Sequence, residues 1–406
     1  MPVYIGIDWG QTSHVICFLN QAGAIIAQQV IPHTPDGFAK FDAQREKLGL
    51  CPADCVVGIE TAYSLLVDYL WGHGYTQVYV IPPSVTRSAR QRYRQSGARN
   101  DASDAYVLAD TLRTDRGRLL PWRPDHVLTR QIRSQVSLLI QLTRTGVRLN
   151  NRLQAVLSRY YPAALVVFRD FGSQISLEFV RRYPTPEAGQ ALSLEEFKRF
   201  AQDQHYSHPR ELPAGYGRLQ GVYPQADPDT VIVFKDQAAL LAGLLLTVVR
   251  TKNDVLRQTG KLFGQHPDAE LFASLPAVGE VLGPGLLAML GDDRARFPSA
   301  ASVQALAGTC PVTDESGKRR VIRFRRACDR DFRYLAQTWA RLSVRESAWA
   351  AAYYEEVRPR CRSKNDAYRR LANRWLAIVW KMWQTRQPYD ESYHLQQRAL
   401  RSKPKA

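Results

Sequence analysis

Two kinds of signal are missing from this chain. Its six cysteines (Cys17, Cys51, Cys55, Cys310, Cys328 and Cys361) form no repeated Cys-x-x-Cys pairs. That excludes a zinc module of ordinary spacing and gives no support to a disulfide framework. Long apolar runs are also lacking. The longest, Ala238 to Val249, is broken by Gly243 and Thr247 and is shorter than the ~20 residues a membrane-spanning helix needs. Met1-Pro2-Val3-Tyr4 leads directly into strand-like sequence, with no charged leader before an apolar stretch. The expectation is a cytoplasmic, nucleoid-associated protein with no membrane partner.

Acidic residues are scarce relative to basic ones: 38 Asp plus Glu stand against 55 Lys plus Arg, a net charge of +17. Such a surplus makes a polyanion the expected partner, although charge alone concerns association and not fold. Apolar residues make up 45% and charged residues 23%, which excludes a disordered or fibrous chain. At 406 residues the chain exceeds what one core usually serves, so more than one domain is expected.

The first stretch reads as a strand meander followed by alternating helices and strands. Val3 to Asp8 and His14 to Leu19 flank the polar link Gly10-Gln11-Thr12-Ser13, and Ala24 to Ile31 follows the turn Gln21-Ala22-Gly23. A helix is expected around Asp36 to Leu48, a strand at Cys55 to Glu60, a helix at Ser64 to Trp71, a strand at Gln77 to Ile81 and a helix from Asp101 to Leu112. The order βββαβαβα is that of the ribonuclease-H-like fold, in which the first, fourth and fifth strands are parallel.

Four carboxylates fall at informative points of this layout. Asp8 ends the first strand and Glu60 the fourth, so on adjacent parallel strands they face one crevice. Asp101 and Asp104 are three apart on the opening turn of a helix and share a face. Converging acids repel unless a cation neutralises them, and a pair of divalent ions about 3.5–4 Å apart is the arrangement that serves in-line phosphodiester chemistry. Each residue also has a plain alternative: Glu60 as a cap, Asp101 as a first-turn acid favoured by the helix dipole, Asp104 as a solvated helix residue. Just upstream, Arg87, Arg90, Arg92, Arg94 and Arg99 crowd a stretch containing Tyr93. Their spacing suits a phosphate backbone, and equally a solvated basic loop.

From Leu128 to Tyr160 and from about Asp236 to Phe263, apolar residues recur at three- and four-residue steps, indicating two long amphipathic helices. These can pair with each other or with another subunit. The insert between them, roughly 162–235, has a helix at Leu192 to Asp203 and no assignable chemistry.

Towards the C-terminus, Leu275-Pro276-Ala277-Val278-Gly279 and the following Val281-Leu282-Gly283-Pro284-Gly285 read as helix, glycine hairpin, helix. Backbone N–H groups at Gly279 can bind phosphate in such a motif; a tight turn between packed helices explains the glycines equally well. Ser316-Gly317 sits on a loop beside Lys318, Arg319, Arg320, Arg323, Arg325 and Arg326. A serine there can meet a scissile phosphate, yet most exposed Ser-Gly pairs are turns and no general base is evident. Two further helices, about Asp331 to Arg345 and Asp366 to Trp383, precede a basic tail expected to be disordered.

Taken together, the chain resembles the DEDD-type transposases of the insertion sequence 110 family, also described as bridge-RNA-guided recombinases. The resemblance rests on Gly6-Ile7-Asp8, Gly58-Ile59-Glu60-Thr61, Ile81-Pro82 and Arg99-Asn100-Asp101-Ala102-Ser103-Asp104-Ala105 in the first half. In the second it rests on Pro276-Ala277-Val278-Gly279, Leu290-Gly291-Asp292, Leu306-Ala307-Gly308, Pro311 and Ser316-Gly317. It implies a RuvC-like domain in which Asp8, Glu60, Asp101 and Asp104 hold divalent metal, Mg2+ being the expected ion. It also implies Ser316 as the nucleophile, donor and target DNA as substrates, a structured guide RNA and a homo-oligomer, dimer or tetramer, joined through the central helices. The chain departs from the family pattern at Arg99, at Ala62-Tyr63-Ser64 and at Arg330-Asp331-Phe332-Arg333, where a Gly-rich link is usual.

The resulting division is 1–125 RuvC-like, 126–265 long helices forming a coiled coil with an insert, 266–390 a mainly helical transposase domain with a helix-hairpin-helix-like motif, and 391–406 a tail. Two rival readings remain. Asp8-Trp9-Gly10-Gln11-Thr12 matches the phosphate loop of sugar kinases and actin-like ATPases, and a non-catalytic nucleic-acid-binding protein could keep the same scaffold.

Overall fold

Short runs rich in β-branched and other apolar residues near the N-terminus produce a five-stranded sheet: β1 (Val3–Trp9), β2 (Ser13–Leu19), β3 (Ile25–Pro32), β4 (Cys55–Ile59) and β5 (Gln77–Val80). The computed structural model describes residues 2–61, 65–90, 100–317 and 319–402. Tyr63, Arg92, Arg94, Arg99 and Lys318 lie outside the described residues. The chain divides into two units, Met1–Pro124 and Asp125–Ala406.

In the first unit the spatial order is β3-β2-β1-β4-β5, with β1–β2 and β2–β3 antiparallel and β1–β4 and β4–β5 parallel. This mixed sheet is consistent with the ribonuclease-H-like order read from the sequence. β4 is buried along its whole length, as a central parallel strand must be. The helices are α1 (Pro35–Lys47), α2 (Leu65–Gly72), α3 (Pro83–Arg90) and α4 (Asp101–Asp115). The Thr34 hydroxyl caps α1 by accepting from the Gly37 N–H at 3.2 Å. At α4, Asn100 Oδ1 accepts from the Ser103 N–H at 2.6 Å, so the helix starts at Asp101 and carries both acids, Asp101 and Asp104, in its first turn.

α4 lies on β1, β2 and β4, and its closest approach is at Gly6. A Cβ there would stand 1.9 Å from the Ala105 carbonyl oxygen and 2.6 Å from the Ala109 nitrogen. Only glycine lets the backbone of the helix come that near the strand that ends in Asp8.

The second unit is mostly helical. α5 (Val127–Tyr160) leads to an insert containing α6 (Gln174–Arg182), α7 (Pro186–Gln190), α8 (Leu194–Asp203) and α9 (Leu212–Leu219), and α10 (Pro228–Gly264) returns. α8 carries the Ser193–Glu196 capping box. α5 and α10 pack antiparallel: a Cβ on Gly146 would meet Val248 and Leu245, and Arg159 lies over the Phe234 ring. α10 begins earlier than its apolar periodicity indicates, because Asp227 caps it (Oδ1 to the Thr230 N–H, 2.9 Å) and Pro228 occupies its first position. It is also longer than the unbroken apolar run implied, and contains a window of mean hydropathy 1.8 that is long enough to cross a bilayer. Here it packs on α5 and α6, leaving an apolar outer stripe that includes Leu240 and Leu244.

Then follow α11 (Ala269–Ala273), α12 (Gly279–Leu290), α13 (Ala300–Leu306), the hairpin β6 (Val312–Ser316) and β7 (Arg319–Arg323), α14 (Arg330–Ser343), α15 (Ala348–Val357), α16 (Lys364–Thr385) and α17 (Glu391–Ser402). Their core is built around buried Trp339, Trp375 and Trp383. The Trp339 and Trp375 indole N–H groups donate to the Pro276 carbonyl (2.7 Å) and the Ser343 hydroxyl (2.8 Å). Gly283 and Gly285 are not turn residues but lie inside α12, where a Cβ on Gly285 would come 2.9 Å from Leu335. The turn falls earlier, at Ala277 (φ 59°) and Gly279 (φ 47°).

The tail expected to be disordered is helical through Ser402. Glu391 accepts from the Ser347 hydroxyl and the Trp349 N–H, and Arg398 pairs with Glu356 at 2.8 Å. These polar anchors, not an apolar stripe, dock α17.

Substituting Gly6→Ala should destabilise the first unit by about 1–3 kcal/mol or more, since backbone on α4 has no side-chain freedom with which to yield. Denaturant unfolding measures it; a stability equal to the parent would show that α4 does not sit against β1 as described.

Candidate active site

Asp8 lies one residue beyond Ile7, which pairs in register with Ile59, and Glu60 lies one residue beyond Ile59. The two acids therefore leave neighbouring parallel strands at the same level. Asp101 and Asp104 reach the same region from the first turn of α4. Asp8 carries the electrostatic signature of this convergence. Its pKa is raised from 3.8 to about 6, first by burial and then by repulsion from Asp104, Asp101 and Glu60, with Arg90 opposing. The sheet and helix thus bring Glu60, Asp101 and Asp104 within electrostatic reach of Asp8, the four acids that the sequence singled out.

Arg90, at the end of α3, enters this cluster. Its Nε donates to Asp104 Oδ1 at 2.6 Å and its Nη2 lies 3.7 Å from Glu60 Oε1. The buried Thr86 hydroxyl donates to Glu60 Oε1 at 2.8 Å. Among the described residues no three acidic, imidazole or thiol side chains converge as a ready-made ligand set. The donor chemistry nonetheless fits a hard divalent cation: four carboxylates, all oxygen, carrying more negative charge than the one guanidinium among them balances.

Neither Thr86 nor the acid-facing role of Arg90 was read from the sequence. Pro82-Pro83 looks like an end to structure, yet Pro83 is the first residue of α3. On that helix Thr86 and Arg90 are four residues apart and share a face. Arg87 of the same basic run is exposed.

Ser316 was expected on a loop; it is the last residue of β6, opposite Arg319, with Gly317 in the turn at φ 55°. The hairpin was not foreseen because both strands are largely exposed and carry alternating charge in place of alternating apolar residues. Cross-strand ion pairs stand where packing would: Glu315–Arg320 at 2.8 Å and Asp314–Arg323 at 3.1 Å. Beyond the ribbon, Phe324 is clasped by the guanidiniums of Arg333 (4.5 Å) and Arg369 (5.0 Å), and Arg333 also donates to the Arg325 carbonyl. Arg319, Arg320, Arg323 and Arg326 are exposed, and Gly279 opens α12 with clear space around it.

Comparison with known proteins decides the family. A family model described as "Transposase", of the DEDD class of the IS110 family, matches residues 5–162, and a second, described as "Transposase IS116/IS110/IS902 family", matches residues 269–355. The chain belongs to the IS110 family of transposases. These are enzymes that cleave and rejoin DNA. Similar proteins include one assigned as the mini-circle transposase for IS117 in Streptomyces coelicolor, 28% identical over 96% of both chains. An insertion element IS900 protein of Mycobacterium paratuberculosis is 26% identical over 94% of this chain and 95% of its own length. An insertion element IS116 protein of Streptomyces clavuligerus is 26% identical over 94% of each. The kinase reading of Asp8-Trp9-Gly10-Gln11-Thr12 finds no support, since the transposase model spans that segment.

The raised pKa of Asp8 has a stability consequence with a definite sign. The folded state holds this proton more tightly than the unfolded chain does, so the contribution is fully present below about pH 4 and is lost as pH rises through about 6. In chelator, Asp8→Asn should therefore be more stable than the parent at neutral pH, by about 1 kcal/mol once the half-exposed setting is allowed for, and no more stable near pH 4. Thermal unfolding at the two pH values checks this; an asparagine variant less stable at neutral pH would contradict the crowding of the acids.

Proposed function

We propose that this transposase cleaves and rejoins DNA through Ser316, assisted by divalent metal, Mg2+ in the cell, held by Asp8, Glu60, Asp101 and Asp104 of a RuvC-like domain. The observation that carries the reading is the repulsion of Asp8 by the three other acids, which asks for a cation. The Ser316 hydroxyl attacks a DNA phosphorus: a serine–phosphate bond forms, a phosphodiester P–O bond breaks, and the hydroxyl of the departing strand end takes the proton. A hydroxyl from the partner DNA then displaces the serine in the reverse sense. Metal, when bound, stabilises charge on the phosphate oxygens and polarises the attacked centre.

The charge distribution supports a polyanion on the second unit. Residues 1–124 hold 12 basic against 11 acidic residues, whereas residues 125–406 hold 43 against 27. Arg319, Arg320, Arg323, Arg325 and Arg326 on and after the hairpin, with Lys318, are assigned to backbone phosphate near Ser316. Arg87, with Arg92, Arg94 and Arg99, is assigned to the nucleic acid near the acids; Arg90, expected in the same run, is instead engaged by Glu60 and Asp104. The N–H groups at Gly279, in a helix-hairpin-helix-like turn, are assigned to a further phosphate. A structured guide RNA selects donor and target in this reading, and the enzyme acts as a dimer or tetramer. The subunits pair as a coiled coil along the outer stripe of α10, where Leu240 is 64% and Leu244 47% exposed.

With Ser316→Ala, labelled DNA should no longer become covalently attached to protein in a denaturing gel. With Asp8→Ala, strand exchange should fall on the order of 10²–10³-fold while DNA and RNA binding persist. Variants that recombine a plasmid as well as the parent would refute the assignment. Separately, Leu240→Glu combined with Leu244→Glu should give a monomeric mass by light scattering where the parent gives a dimer or larger; an unchanged mass would remove this stripe from the interface.

A further inference from the structure

Arg90 is three-quarters buried and turned onto the acids of its own chain. Its Nε holds Asp104 Oδ1 at 2.6 Å, its Nη2 reaches Glu60 Oε1 at 3.7 Å, and Glu60 is tied to the same helix by the Thr86 hydroxyl at 2.8 Å. The guanidinium thus spans one acid from the sheet and one from α4. Those carboxylate oxygens are the atoms a hard dication would need, and lone pairs engaged by guanidinium N–H groups are not free for a metal. Arginine stays protonated at all accessible pH, so the competition cannot be relieved by loss of its proton. Relief requires the side chain to leave.

We propose that Arg90 is a resident counter-ion of the acidic centre, which holds Glu60 and Asp104 together before metal binds and must be displaced for a divalent cation to bind. The proposal rests on the reading that the four acids hold metal. It explains how four carboxylates can be gathered without metal: one internal positive charge offsets part of their repulsion, and a dication that replaces it offsets more. It also sets a threshold, since metal affinity is lowered by whatever free energy the arginine contacts contribute.

The test is calorimetric titration of the full chain with Mn2+ alone, for the parent, Arg90→Gln, Arg90→Lys and Asp8→Asn, with unfolding temperatures in chelator alongside. Arg90→Gln should bind Mn2+ more tightly, on the order of tenfold, while unfolding at a lower temperature in chelator. Arg90→Lys keeps the charge but cannot bridge both acids, so its affinity should lie between those of the parent and Arg90→Gln; it carries the test if the glutamine variant does not fold. Equal or weaker Mn2+ binding in the folded arginine variants would overturn the proposal and make Arg90 a clamp that metal does not displace. Mn2+ binding unaffected by Asp8→Asn would instead overturn the metal reading of the four acids, and this proposal with it.

Discussion

Four acids of the first unit are held within electrostatic reach of one another against their repulsion, and backbone proximity supplies the force. β1 and β4 run parallel and in register, so Asp8 and Glu60 leave the sheet side by side. α4 is pressed against β1 at a glycine, which brings Asp101 and Asp104 to the same edge. The buried apolar faces of the sheet, Ile5, Ile7, Val57 and Ile59 on one side and Tyr4 and Val56, packed with Leu108 of α4, on the other, stabilise an arrangement that the carboxylates alone would disperse. The unfavourable part of that balance is visible in the raised pKa of Asp8.

Arg90 and Thr86 show how a scaffold tempers the same repulsion with polar groups. Both sit on a two-turn helix between the last strand of the sheet and the helix bearing Asp101 and Asp104. Their hydrogen bonds run to Glu60 and Asp104, not to solvent. A basic residue in an arginine-rich stretch can therefore be engaged by acids of its own chain.

Much of the first unit was legible because its pattern follows from burial: strands buried on both faces read as apolar runs, and the acids stand where those runs stop. The elements that escaped notice are stabilised by something other than apolar periodicity. α3 starts on a proline that looks like a terminator. β6 and β7 are joined by backbone pairing and by Glu315–Arg320 and Asp314–Arg323. α17 is docked by Glu391 and Arg398. The start of α10 was misplaced because its cap, Asp227, precedes the apolar stripe by more than two turns. The placement of the four acids at element ends was readable from the sequence, whereas the partners of Glu60 and Asp104 depended on which helix face turned inward.

α5 belongs to two cores at once. Ile132, Val136 and Ile140 pack among the tryptophan-rich C-terminal helices, and Leu153, Val156 and Leu157 pack into the aromatic cluster of the insert. Its 34 residues run unbroken between them, a rod of about 50 Å at the helical rise. A helix shared in this way acts as a strut: the insert and the C-terminal helices keep a set spacing along one continuous hydrogen-bonded rod, with no flexible joint between the two cores within α5.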